Sequence, residues 1–282
     1  MRLVRFGAAG DETPGMLDAA GRVRSLAGVA GDIAGDTLSP GGLARLAGLD
    51  PETLPLAPAG VRLGPPVAGV GKIVGIGLNY ADHAAEAGMA LPSEPIFFLK
   101  APSALAGPRD VLELPPDALK TDWEVELAFV IGTRAKNVSE GGALAHVAGY
   151  MVLNDISERA WQIERLGQWT KGKSHDGFAP AGPWLVTADA AGDPGNLALS
   201  LDVNGVPRQR GSTATMVFGI AEIVAYVSRF MTLHPGDIVT TGTPPGVGMG
   251  MKPPVFLKDG DVMRAEIAGL GVQETRVRVA EG

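Results

Sequence analysis

Apolar residues along this chain recur mostly in short bursts of strand-like alternation, bounded by Gly- and Pro-rich turns. The densest burst is DWEVELAFVIG, residues 122–132. Its Trp, Val, Leu, Phe and Ile suit a pleated, half-buried surface and predict a β-strand. Alternation places Glu124, Glu126, Ala128 and Val130 on one face, with Trp123, Val125 and Leu127 on the other. Both faces turn apolar within a few residues, so the two carboxylates would be desolvated side by side. They would repel each other unless a cation neutralises them. The competing reading is a solvated outer face of an antiparallel strand.

The same patterning predicts strands at Arg2–Phe6, Ile73–Ile76, Ile96–Lys100, Gly149–Leu153, Leu185–Thr187, Leu197–Val203, Asp237–Thr240, Val262–Ile267 and Glu274–Val279. A hairpin is expected around Ala20–Gly21, and a turn at Asn204–Gly205. Helical periodicity is confined to Leu43–Leu49, Glu158–Leu166, Met216–Phe230 and the start of the lid-like stretch NYADHAAEAGMALPSEP. Many short strands and few helices imply a β-rich α+β fold with a rolled or sandwiched sheet. Residues 1–65 read as a small N-terminal unit, joined by the link VRLGPPVAGVGK to a larger body over residues 66–282.

Composition narrows the chemistry. With no cysteine, disulfides, thiolate metal sites and cysteine nucleophiles are excluded. A net charge of -7 with no Lys/Arg run argues against nucleic acid or an anionic membrane as partner. No apolar run reaches the ~18 residues of a membrane helix, and no signal-peptide pattern opens the chain, so a cytoplasmic protein is expected.

Asp155 is the natural third partner for the two glutamates, because it ends an apolar strand where a side chain can turn into a cleft. Asp155 and Glu158 also match the spacing of a helix capping box. Three carboxylates without a Cys or His cluster would favour a hard octahedral ion, Mg²⁺ or Mn²⁺. In the lid-like stretch, His83 and Glu86 lie one helical turn apart, so the carboxylate can fix the imidazole as a base that activates water. An exposed polar pair on a helix has the same spacing. Gly75, Gly77 and Gly88 suggest hinges for this segment, which is expected to be more mobile than the strands. GIG-L-N lacks the third glycine and acidic strand end of a dinucleotide loop. Lys173 sits among glycines in TKGKSHDGFAP, and TTGTPPGVGMG reads as a strand end feeding a tight loop able to hold a carboxylate.

In chain order, GLNYADHAAE, DWEVEL, LNDISERAWQ, KGKSHDGFAPAGPWLV and TTGTPPGVG resemble motifs of the fumarylacetoacetate hydrolase family, over about residues 70 to 280. The resemblance implies a mixed β-sandwich roll, a homodimer, and one Mg²⁺ or Mn²⁺ held by Glu124, Glu126 and Asp155. It also implies a lid dyad of His83 and Glu86, a substrate-contacting pair of Gln162 and Lys173, a carboxylate-binding Thr243, and a further polar position at Arg159. The implied activity is metal-dependent hydrolysis of the C–C bond of a 2,4-dioxo acid, either an acylpyruvate or a 2,4-diketo-3-deoxy sugar acid, giving pyruvate and a carboxylic acid. Lys173 would neutralise the oxyanion or protonate C3. Family alternatives are oxaloacetate decarboxylation and isomerisation or decarboxylation of 2-hydroxyhepta-2,4-diene-1,7-dioate; outside enzymes, a non-catalytic binding module. KSHDGF departs from the commoner KSFDTF at His175 and Gly177, and LKAPSA from LKPxSA. Neither departure touches a proposed ligand, but both bear on the substrate pocket.

Overall fold

The computed structural model describes residues 1–82 and 90–280. A nine-stranded sheet runs, in spatial order, Val23–Ser25, Thr13–Leu17, Arg2–Phe6, Leu185–Thr187, Val147–Asn154, Val125–Ile131, Ile238–Thr240, Ile73–Gly77 and Ile96–Lys100. A five-stranded sheet runs Val206–Ser212, Ala198–Val203, Val262–Ile267, Gly271–Val279 and Leu112–Leu114. Most pairs are antiparallel; Ile238–Thr240 pairs parallel with Ile73–Gly77, and Gly271–Val279 with Leu112–Leu114. The mixed, strand-rich architecture is the α+β class expected from the alternating bursts.

Ala198–Val203 and Val262–Ile267 of the smaller sheet pack on Val125–Ile131 and Val147–Asn154 of the larger. Every residue of those two central strands is buried. That explains their continuous apolar run, since a strand covered on both faces has no solvent side for polar residues. The Asn204–Gly205 turn closes a hairpin with φ of 53° and 73° at its two residues, the pair of positive values that suits the twist of the flanking strands. The N-terminal hairpin, Thr13–Leu17 with Val23–Ser25, is tied into the larger sheet because Arg2–Phe6 pairs with Leu185–Thr187.

Three expected elements come out differently. The strand predicted over 122–132 is interrupted: Thr121–Asp122 pairs with Ser157–Glu158, and the long strand begins only at Val125. The helix expected over Glu158–Leu166 is a single π-helical turn, Ala160–Glu164. Its first residue is drawn into that short strand pair instead, where Glu158 accepts hydrogen bonds from the Lys120 N–H and the Thr121 hydroxyl. The helix expected from Met216 begins at Ile220. Asn79 holds the residues before it extended, accepting from the Val217 and Phe218 N–H groups.

Candidate metal and substrate site

The break in the strand is where the site begins. Asp155 N–H donates to the Glu124 carbonyl, and the Asn154 side chain accepts from Glu124 N–H, so the end of one central strand fastens the start of its neighbour. Two residues on, Glu126 pairs with Leu153. Glu124, Glu126 and Asp155 thereby converge, each offering an oxygen within 4.8 Å of the others, and all three are buried. No capping box forms at Asp155. Its Oδ1 accepts from Lys100 Nζ at 2.5 Å and its Oδ2 from Lys173 Nζ at 2.6 Å.

The charges around the triad are unequal. Lys173 Nζ also donates to Glu124 Oε2 at 2.7 Å, while Arg159 donates to Glu124 Oε1 at 2.6 Å and to Asp122 Oδ1 at 2.7 Å. Four buried carboxylates (Asp122, Glu124, Glu126, Asp155) thus face three cations (Lys100, Lys173, Arg159). Among the described residues, Glu126 is the one of these four without an ion-pair partner; its Oε2 accepts the Gly242 N–H. Burial, then the charges of Asp155 and Glu124, push the Glu126 carboxyl well above the usual carboxylate range. Burial also raises Asp122, to about 6, against the pull of Arg159. For Glu124 burial is outweighed by Lys173 and Arg159, which hold its carboxyl below the usual range. Lys100 is lowered by burial, whereas Lys173 is raised because Asp155 and Glu124 outweigh its burial. A pocket of oxygen donors with one surplus negative charge suits a hard divalent cation such as Mg²⁺ or Mn²⁺.

Glu124 and Glu126 of the triad line a cavity of about 400 Å³, with Asp155 buried behind them. Its polar wall is Glu124, Glu126, Arg159, Gln162, Lys173 and Thr243; its apolar wall includes Leu78, Phe98, Ile163, Trp169 and Val247. Gln162 accepts from Arg159 Nη1 at 3.0 Å, so its amide is oriented by the same guanidinium that grips Glu124. Thr243 donates its hydroxyl proton to the Val125 carbonyl and accepts from Gln209 Nε2, so that hydroxyl is committed to the scaffold. What Thr243 retains for a ligand is its main-chain N–H. His83 and Glu86 lie outside the described residues. His175, at one of the departures in KSHDGF, packs edge-on to Phe178 and Trp161, with ring centroids 5.0 and 6.1 Å apart.

Two contributors carried no recognisable spacing in the sequence, and a third was noticed there only as hinge glycines. Lys100 ends a strand and is 1% exposed. Gln209, 0% exposed, accepts from Val125 N–H between the two glutamates and donates to Thr243 and the Pro244 carbonyl. The third is Gly75–Ile76–Gly77, whose GIG pattern serves the pocket wall. A Cβ on Gly75 would lie 2.3 Å from the Phe98 ring, and one on Gly77 would lie 2.7 Å from the Trp169 ring. The two rings then meet edge to face at 5.5 Å.

The fumarylacetoacetate (FAA) hydrolase C-terminal family matches residues 72–278. A Burkholderia cenocepacia protein, provisionally designated a hydrolase, is 58% identical over 282 residues, with 100% of each chain covered. The crystal structure of maleylpyruvate hydrolase from Sphingobium sp. SYK-6 superposes with a TM-score of 0.83 at 33% identity, over 99% of this chain and 100% of that one. That of 2-hydroxyhepta-2,4-diene-1,7-dioate isomerase from Mycobacterium marinum does so at 0.76 and 32%, over 100% of both chains. Among the described residues, no helix is long and apolar enough to cross a membrane. Taken with the fold and the acidic triad, these matches establish that the chain belongs to the fumarylacetoacetate hydrolase family, as an enzyme of hydrolase or isomerase type.

Proposed function

We propose that this enzyme hydrolyses the C3–C4 bond of an acylpyruvate, a 2,4-dioxo acid, to pyruvate and a carboxylic acid. The observation that carries this reading is the buried triad of Glu124, Glu126 and Asp155, whose two glutamates line the same cavity as Lys173, Arg159 and Gln162. A divalent ion held by the three carboxylates would stabilise negative charge building on a bound 2-oxo acid. Gly242 and Thr243 line the same space; with the Gly242 N–H given to Glu126, the Thr243 main-chain N–H is the group that suits the substrate carboxylate. Lys173, on the cavity wall, would neutralise an oxyanion at C4 or return a proton to C3. His83, oriented by Glu86, takes the proton from the attacking water. The apolar wall of Leu78, Phe98, Ile163, Trp169 and Val247 suits an acyl chain better than the hydroxyls of a 2,4-diketo-3-deoxy sugar acid, which would find few partners there.

A second reading is isomerisation or decarboxylation of a hydroxydienedioate, favoured by the similarity to solved 2-hydroxyhepta-2,4-diene-1,7-dioate isomerases. It uses the same metal and pocket without an attacking water. A panel of acylpyruvates, 2,4-diketo-3-deoxy sugar acids, oxaloacetate and 2-hydroxyhepta-2,4-diene-1,7-dioate, assayed with Mg²⁺ or Mn²⁺, separates these. Pyruvate release from the acylpyruvates is expected. Turnover of the dienedioate or oxaloacetate alone would reject the hydrolase reading.

The proposal includes a homodimer. Ile96–Lys100 is an outer edge of the larger sheet, and Ile96 and Leu99 on it are exposed. Phe97 stacks there with Tyr226 and the half-exposed Phe230, forming an apolar edge that a second copy could cover. Sedimentation velocity at micromolar concentration should show a dimer; a monomer would reject this part.

A further inference from the structure

Lys173 occupies ground that a divalent cation needs. Its Nζ takes Oε2 of Glu124 at 2.7 Å and Oδ2 of Asp155 at 2.6 Å. The remaining oxygen of Glu124 goes to Arg159, and the remaining oxygen of Asp155 goes to Lys100. While Lys173 stays, every oxygen of both carboxylates already accepts from a cation. Glu126 alone is left without a cation among the described residues. An ammonium and a dication on the same two oxygens would be like charges in near contact, in a site where burial weakens solvent screening.

The three cations are not equally free to leave. Arg159 is held by Asp122 and Gln162 as well as Glu124, and Lys100 also donates to the Ile156 carbonyl. Lys173 is held differently: while it bonds both carboxylates its Nζ already lies 5.1 Å from the centre of the Phe98 ring, within cation–π range, so it can leave the carboxylates and keep that contact on the cavity wall.

We propose that Lys173 is an exchangeable internal counterion. In the metal-free protein it neutralises Glu124 and Asp155; in the loaded protein it withdraws from them toward Phe98 and the cavity. Metal uptake thereby delivers a positive charge to the place where the substrate sits. Empty enzyme keeps that charge tied to its carboxylates at the cavity wall and the carboxylates neutralised. The inference rests on the metal reading above.

The test uses the full chain, chelator-treated, with Mn²⁺ alone as probe. Lys173→Met keeps an unbranched side chain without the charge. Isothermal titration should show Mn²⁺ binding at least about tenfold tighter than wild type. The metal-free variant should melt lower than the metal-free wild type and gain more on Mn²⁺ addition. Because lost charge alone would also tighten binding, a second measurement follows Lys173 in the wild type. Reductive methylation read by peptide mass spectrometry should be slow at Lys173 without metal and faster with saturating Mn²⁺, with exposed Lys171 as the internal reference. This readout decides even if the variant does not fold. Unchanged Lys173 labelling on Mn²⁺ saturation, or equal or weaker binding by Lys173→Met, overturns the exchange while leaving the metal site standing. Wild type that binds no Mn²⁺ overturns both.

Discussion

Replacing Gln209 with leucine tests whether the site depends on a link between the two sheets. Gln209 lies in the smaller sheet, yet its amide accepts from Val125 N–H and donates to the Pro244 carbonyl and Thr243 hydroxyl on the larger sheet's side. Leucine has similar volume, so packing is largely kept while the Val125 N–H and Pro244 carbonyl lose their partner. A buried polar group left unpaired costs about 1–3 kcal/mol, and two of them about 2–6 kcal/mol. At roughly 2–4 °C per kcal/mol for a domain of this size, the melting midpoint should fall by at least about 4 °C. Thr243 keeps its bond to the Val125 carbonyl, so it loses an incoming donor but is not orphaned. Because Val125 sits between Glu124 and Glu126, Mn²⁺ affinity should weaken several-fold as well. Thermal melts of chelated and Mn²⁺-loaded protein, with Thr243→Val and the double variant, give the coupling between the two residues. A Gln209→Leu midpoint within about 1 °C of wild type and an unchanged Mn²⁺ affinity would refute the reasoning.

Glu126→Gln should abolish Mn²⁺ binding in calorimetry and raise the melting midpoint of chelated protein most in alkaline solution, where the wild-type carboxyl, raised by burial, is driven to carry a charge beside two others; a chelated variant less stable than wild type there would contradict this. His83→Ala should lower hydrolysis about 10²–10⁴-fold, as loss of a general base does, with Mn²⁺ affinity unchanged. If oxaloacetate turnover survives in that variant and wild type cleaves no diketo acid, water activation is not its role. In the N-terminal hairpin, burial alone would raise Asp18, but the Arg22 N–H and the guanidinium groups of Arg24 and Arg22 hold it below the usual carboxylate range. A depressed carboxyl contributes stability above its unfolded value, 3.8, and loses it in more acid solution. Asp18→Asn should therefore destabilise at pH 7, with the difference shrinking below about pH 4; denaturant midpoints across pH check it.

The parts legible in the sequence are those fixed by local alternation and residue type. Val125–Ile131 and Val147–Asn154 are readable because a doubly covered strand must be apolar throughout, and the three carboxylates stand out against that background. The strand break at Glu124 was not legible, since it arises from the partner: Asn154 and Asp155 hold the backbone of Glu124 out of the regular ladder. Likewise the π-helical turn at 160–164 reflects long-range bonds from Glu158 to Lys120 and Thr121. Periodicity carries no record of them. Lys100 and Gln209 were hidden for the same reason. A buried lysine or glutamine looks like a surface one until the fold supplies its partners. Thr243 shows the reverse case, a residue noticed for its hydroxyl whose hydroxyl is used by the scaffold.

The glycines at 75 and 77 make the cavity's width a matter of atoms that are missing. Phe98 and Trp169 rest in the shallow troughs those residues leave on their strand, so one methyl group at either position would push a ring toward the space a substrate needs. Pocket size can thus be altered through two glycines, without substituting Phe98, Trp169 or any of the carboxylates. A protein built this way could move between short and long acyl groups by single small steps on a buried strand, while its chemistry stayed as it was.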